Sequence, residues 1–126
     1  MADRSKTRAK AIVASFYQTA GGTEPVRVWL RSRDLDDRYR RVIGGDIQVV
    51  EYSWPDVGKP LVAPLKGGIW EVRSTRPSRR IARVLFGVEA GLMIILHGFV
   101  KKTQATADGD LRLARRRLAD WKENNP

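Results

Sequence analysis

The sequence predicts a single α+β domain, a small curved and mainly antiparallel sheet packed with helices. Three observations predict it. Apolar residues recur at helical spacing in two segments near the N-terminus and in one at the C-terminus. Between them lie three segments rich in β-branched and aromatic residues, joined by connections short enough to imply an antiparallel meander. The chain has 126 residues, 42% of them hydrophobic, which suits one domain with one modest core.

Residues 1–10 are basic and are expected as an N-terminal tail. Ala11–Tyr17 suits a first strand, and Thr19-Ala20-Gly21-Gly22 supplies the turn after it. Thr23 is placed to cap a short helix with Pro25 in its first turn, where a missing N–H is harmless. Val26, Trp29 and Leu30 make that helix's apolar face. A second helix is expected from near Asp34, with Tyr39, Val42, Ile43, Ile47 and Val50 in register and Asp34, Asp36 and Asp37 at the positive end of its dipole. Gly44-Gly45 weakens this helix by about 1 kcal/mol per glycine and leaves room for a kink. Trp54-Pro55 ends it, and Asp56–Pro64 is expected as loop. The meander strands are Ile69–Ser74, Ile81–Val88 and Leu92–Val100, divided by Arg76-Pro77-Ser78 and Glu89-Ala90-Gly91. In the last helix Leu111, Ala114, Leu118 and Trp121 share a face, opposite Arg112, Arg115, Arg116 and Lys122, with Asp108 as the expected N-cap. The order is β-α-α-β-β-β-α.

Composition removes several function classes. The absence of cysteine excludes a disulfide-stapled fold and a cysteine zinc site, and a lone histidine, His97, excludes a His-rich metal centre. No metal or cofactor is therefore expected. The longest apolar run, Leu92–Leu96, is five residues, far short of the roughly 20 that a membrane helix needs. With no signal-peptide pattern at its start, the chain is expected to be cytoplasmic and away from membranes. A formal net charge of +10 points to a polyanion, most often nucleic acid or the ribosome; the plainer alternative is a solvated basic face.

Strand alternation sorts the residues that could do chemistry. Glu71 and Arg73 share a face, as do Ile81, Arg83 and Leu85, and as do His97, Phe99 and Lys101. Val84, Phe86 and Val88 take the opposite, core side of the middle strand. Arg73, Arg83 and Lys101, one per neighbouring strand, are placed to converge beside His97 and Phe99. Arginine forks match phosphate oxygens, lysine supplies point charge, an aromatic ring stacks on an unpaired base, and histidine moves protons near neutral pH. This is a kit for cleaving a phosphodiester, in which a base takes the 2′-hydroxyl proton while cations stabilise the charged phosphorane. Plain RNA binding satisfies it equally, and a single strand histidine is as readily structural as catalytic. Asp34-x-Asp36-Asp37 is better explained as a helix start than as a metal cluster. The pairs Gly21-Gly22, Gly44-Gly45 and Gly67-Gly68 match no nucleotide-binding loop, and Trp70 fits the core. The Arg115-Arg116-Arg117 run is either a solvated face or a second phosphate-contacting surface.

Pro64-Leu65-Lys66-Gly67-Gly68-Ile69-Trp70-Glu71-Val72-Arg73, then Arg80-Ile81-Ala82-Arg83-Val84-Leu85-Phe86, then Leu96-His97-Gly98-Phe99-Val100-Lys101-Lys102-Thr103-Gln104 follow one another in order. This series closely resembles the phage-derived Gp49-like branch of the RelE/HigB toxin superfamily. Glu24-Pro25-Val26-x-x-Trp29-Leu30 and Leu113-Ala114-Arg115-Arg116-Arg117-Leu118 also match, so the resemblance spans roughly Ile12 to Trp121. It implies a RelE-like α+β fold and the toxin of a type II toxin–antitoxin pair, which enters the ribosomal A site and cleaves mRNA without a metal. It also implies a helix-turn-helix antitoxin as partner, in a toxin–antitoxin hetero-oligomer. Carried over by position, Arg73, Arg83, Lys101 and Lys102 are the basic catalytic residues, and His97 is a candidate acid or base. Phe99 would stack on a base, and Lys66, Glu71, Arg80, Arg112, Arg115 and Arg116 would contact RNA. Many relatives carry a further tyrosine or histidine late in the chain, and Ala107–Leu113 offers neither. The alternatives from other classes are a non-catalytic module that binds RNA or protein, and a ribonuclease that works without the ribosome.

Overall fold

The computed structural model describes residues 9–33, 35–75, 80–101 and 106–126. They form β1 (Val13–Phe16), α1 (Pro25–Leu30), α2 (Asp37–Ser53), β2 (Val62–Pro64), β3 (Trp70–Thr75), β4 (Ile81–Glu89), β5 (Leu92–Lys101) and α3 (Asp108–Asn124). The strands make one sheet in the order β1-β5-β4-β3-β2. Strands β3, β4 and β5 are the predicted antiparallel meander, and β1 runs parallel to β5. The α+β architecture is the expected one, and it is consistent with a small RelE-like domain. Among the described residues no helix is long and apolar enough to cross a membrane.

Several local expectations are corrected. Asp56–Pro64 is not all loop: Val62–Pro64 pairs with Trp70–Val72 as a short edge strand, a position that tolerates Pro64 because its missing N–H faces no neighbour. The second helix starts at Asp37, where Asp36 caps it by accepting the Tyr39 N–H at 2.7 Å; Asp34 lies outside the described residues. Glu24, not Thr23, is the N-cap residue of α1, and Ala107, not Asp108, that of α3, neither with a side-chain cap bond. Helix α2 runs unbroken through Gly44-Gly45. It buries Tyr39, Ile43, Ile47 and Val50, and at roughly 1.5–3 kcal/mol per buried side chain that stripe outweighs about 1 kcal/mol per glycine.

The sheet is covered on both faces. Helices α1 and α2 pack on one face with Val72, Val84, Phe86, Met93 and Ile95. Helix α3 lays Ala114 and Leu118 on the other, against Leu85, Ile94 and Leu96. Trp70 belongs to the first layer, edge-on to Trp54 at 4.9 Å, as its core reading required. Between β4 and β5 a two-residue Ala90-Gly91 turn has φ of 51° and 76°, which matches the right-handed twist of the strands it joins.

One irregularity positions everything that follows. Leu85 faces His97 while Phe86 faces Ile95, so Leu96 is an extra residue in β5, a β-bulge. Ile94 and Leu96 sit on the α3 face, and strict alternation would send His97 to the opposite one. The bulge returns His97, and with it Phe99 and Lys101, to the α3 side. Arg117 of α3 donates from Nη1 to the Leu96 carbonyl at 2.7 Å, securing the bulge from the helix.

Candidate functional site

Arg73 on β3, Arg83 on β4 and Phe99 on β5 lie in one row across the α3 face, each directly opposite the next. Two arginines facing each other across a strand pair repel, and the resolution comes from two residues back along β3. Glu71, fully buried, accepts from Arg73 Nε at 2.7 Å and from Arg83 Nη1 at 3.1 Å. Thr106, just before α3, donates its hydroxyl to the same carboxylate and accepts from Arg83 at 3.1 Å. Burial pushes the Glu71 carboxyl up, but the bonds from Thr106 and Arg73 and the charge of Arg83 outweigh it and hold the group below the usual carboxylate range.

A second cluster sits beside the first. His97 Nε2 is 2.8 Å from Asp110 in the first turn of α3, and Lys101 Nζ lies 3.1 Å from the other oxygen of that carboxylate. The Phe99 ring is 5.2 Å from the His97 ring, and Lys101 lies 5.3 Å over it. For Asp110, burial again opposes ionisation, and the hydrogen bonds and charges of His97 and Lys101 overcome it, so this carboxyl also sits below its ordinary value. His97 and Lys101 remain partly exposed, as a group that exchanges protons with a ligand must be.

A cleft of about 610 Å³ opens over the first cluster, with Leu65 and Lys66 on one wall, Asp108 and Leu111 on the other, and Arg73 and Arg83 in its lining. The β2–β3 loop reaches α3 because Gly67 has φ of 77° and presses under Arg115: a Cβ there would stand 2.5 Å from Arg115 Nε. Lys66 lines the cleft, and Arg115 lies against its neighbour Gly67, outside the lining. Arg112 and Arg116 are exposed on α3. Arg80 is exposed at the start of β4, outside the cleft lining, and its carbonyl accepts the Tyr39 hydroxyl at 3.1 Å. Lys102 lies outside the described residues.

Two expectations change in character. Glu71 is 0% exposed, so it meets the arginines rather than RNA directly. Arg83 is 1% exposed and lies on the cleft floor, where its guanidinium is engaged by Glu71 and Thr106. The Arg115–Arg117 run also divides: Arg117 turns inward to Leu96 and the Tyr17 ring, 5.6 Å away. Sequence reasoning missed Thr106 and Asp110. Asp110 reads as an ordinary first-turn acid, and the signal that distinguishes it is its spacing of four from Ala114 and seven from Arg117, which turns it toward the sheet.

No curated protein matches the chain. The family described as Phage derived protein Gp49-like (DUF891) matches residues 29–119, which takes in α2, the meander and most of α3. By that match over most of its length, the chain belongs to the phage-derived Gp49-like family.

Proposed function

We propose that the protein is the toxin of a type II toxin–antitoxin pair, a ribosome-dependent endonuclease that cleaves translated mRNA in the A site. The observation that carries the reading is the placement of Arg73, His97 and Lys101 on one face, each backed by a carboxylate and each partly exposed. Arg73 takes the scissile phosphate and neutralises the charge that builds on it. Of His97 and Lys101, the one that is unprotonated takes the 2′-hydroxyl proton; the 2′-oxygen attacks phosphorus, the bond to the 5′-oxygen breaks, and the other, protonated, gives that oxygen its proton. The products are a 2′,3′-cyclic phosphate and a 5′-hydroxyl, with no metal required. Phe99 stacks on an unpaired base, and Lys66, Lys102, Arg80, Arg112, Arg115 and Arg116 contribute contacts to mRNA and ribosomal RNA. Arg83 acts in the same cleft from its floor. The cognate antitoxin carries a helix-turn-helix domain and holds the toxin in a hetero-oligomer in the cytoplasm.

A specific observation favours a second reading: every one of Arg73, Arg83, His97 and Lys101 is already matched to a carboxylate. In that reading the domain binds RNA or protein and cuts nothing. Induced expression in a bacterial host, followed by primer extension on an abundant message, separates the two. The toxin gives growth arrest and in-frame cuts that vanish in Arg73→Ala and Lys101→Ala; a soluble, folded protein that produces neither arrest nor cuts sinks the endonuclease. Cleavage of purified RNA with and without ribosomes tests the ribosome dependence.

A further inference from the structure

Arg73 and Arg83 face each other across β3 and β4 but differ in access: the Arg73 side chain is 30% exposed and that of Arg83 1%. Glu71 holds both, taking Nε of Arg73 and Nη1 of Arg83, while the Thr106 hydroxyl occupies the remaining side of its carboxylate. An arginine side chain carries about 2 kcal/mol of rotamer freedom, much of which is lost when it captures a phosphate. Fixing Nε on a carboxylate that is itself immobile removes that loss beforehand, and Arg73 still lines the cleft. A buried carboxylate can do this only while it stays charged, and the buried guanidinium of Arg83 supplies the matching charge.

We infer that Glu71 is a positioning residue that braces Arg73 as the phosphate-contacting arginine of the cleft, and that Arg83 serves Glu71 rather than the ligand. The inference rests on the reading of this cleft as an RNA phosphate site. It opposes a simpler idea, in which the Glu71 carboxylate is a built-in competitor that a phosphate must displace. The two differ in sign when the carboxylate is removed: loss of a brace weakens phosphate binding, and loss of a competitor strengthens it.

Inorganic phosphate titrated into the full chain is the probe, followed through the arginine Nε–H signals in nitrogen-15 NMR. In the wild type the Arg73 signal shifts with phosphate and the Arg83 signal stays in place. Glu71→Leu combined with Arg83→Met removes one negative and one positive charge together, so the net charge of the cleft is unchanged. Apolar groups replace the pair, an exchange that buried ion pairs commonly tolerate. Its phosphate affinity falls about tenfold, the share of arginine freedom that the brace suppresses. Glu71→Gln supplies a second variant: the Arg73 signal moves toward that of a free arginine, and affinity falls despite the loss of a negative charge. A phosphate-dependent shift at Arg83, an unresponsive Arg73, or equal or tighter binding in either folded variant would overturn the inference. Cuts mapped in translated messages judge the endonuclease separately. Cuts with an unresponsive Arg73 remove only the brace, and a responsive Arg73 without cuts removes only the endonuclease.

Discussion

Arg83 Nη1 lies 3.1 Å from Glu71 Oε2, and the two side chains are sealed from solvent together. Truncating one member of such a pair leaves the other as an uncompensated buried charge, which costs about 3–5 kcal/mol. Arg83→Ala therefore lowers stability by that order, a large part of the roughly 5–15 kcal/mol that a domain has. Arg73→Ala removes a partly exposed partner and costs about 1 kcal/mol. Urea unfolding of the two variants checks the contrast. Lost activity in Arg83→Ala would then report folding as much as chemistry, and Arg73→Ala is the cleaner probe of the site.

Acid should loosen the same region. Burial works against ionisation of Glu71 and Asp110, yet their donors hold both carboxyls below the ordinary range. A group whose folded value is depressed adds stability that is present above its unfolded value, about 4 for these side chains, and is lost as pH falls through the folded value. Stability contributed by the two acids is thus constant above about pH 5 and declines below about pH 4. Urea midpoints measured across that window should fall for the wild type and fall less steeply for Asp110→Asn. Parallel curves would mean that Asp110 gains nothing from His97 and Lys101.

Arg117→Ala strips the donor from the Leu96 carbonyl at the β5 bulge. An unsatisfied buried acceptor costs about 1–3 kcal/mol. Because the bulge sets which face His97 presents, the proposed cleavage should suffer beyond what the stability loss explains. Thermal unfolding and cut mapping on the same variant measure the two effects.

Gly98 lies directly under the Trp29 ring, where a Cβ would stand 2.4 Å from Cε3. Gly98→Ala must push α1 away from β5, at about 1–3 kcal/mol. The same substitution at Gly45, where a Cβ meets nothing, should instead stabilise α2 by about 1 kcal/mol. Opposite shifts in melting temperature are the expected outcome.

His97 and Asp110, 2.8 Å apart, should act as one unit in the proposed cleavage. The double variant His97→Gln with Asp110→Asn should be no slower than the slower single variant, whereas independent contributions would multiply. Single-turnover rates on programmed ribosomes decide between them.

The residue pattern carried much of this site. Strand alternation grouped Glu71 with Arg73 on one strand and His97, Phe99 and Lys101 on another because a period of two is dictated by the pleat, and short connections dictated the meander; the bulge is what brings the His97 group to the face of the arginines. Alternation could not show that Arg83 is buried, since burial depends on what covers a face, and here Thr106, far along the chain, meets its guanidinium. Nor could it show the bulge at Leu96, because nothing in Ile94-Ile95-Leu96-His97 breaks the apolar run. The short β2 hid behind Pro60 and Pro64, residues that usually punctuate loops. Asp110 was hidden by its own ordinariness, an acid where helices commonly have one.

Among the described residues strand β1 is paired with β5 alone, Val13 against Leu92, so β1 must wait for a partner made some 75 residues later. Contacts that span so much of the chain close late and slow folding, because the loop must be ordered before pairing compensates. The cleft waits longer still, since it draws on β3, β4 and the first turns of α3. During synthesis, a ribosome making this protein carries β1 unpaired through most of elongation, and no nascent chain that stops short of α3 holds a finished cleft. The order in which the chain emerges thus keeps the basic groove unassembled while the chain is still attached to the machine it is proposed to attack.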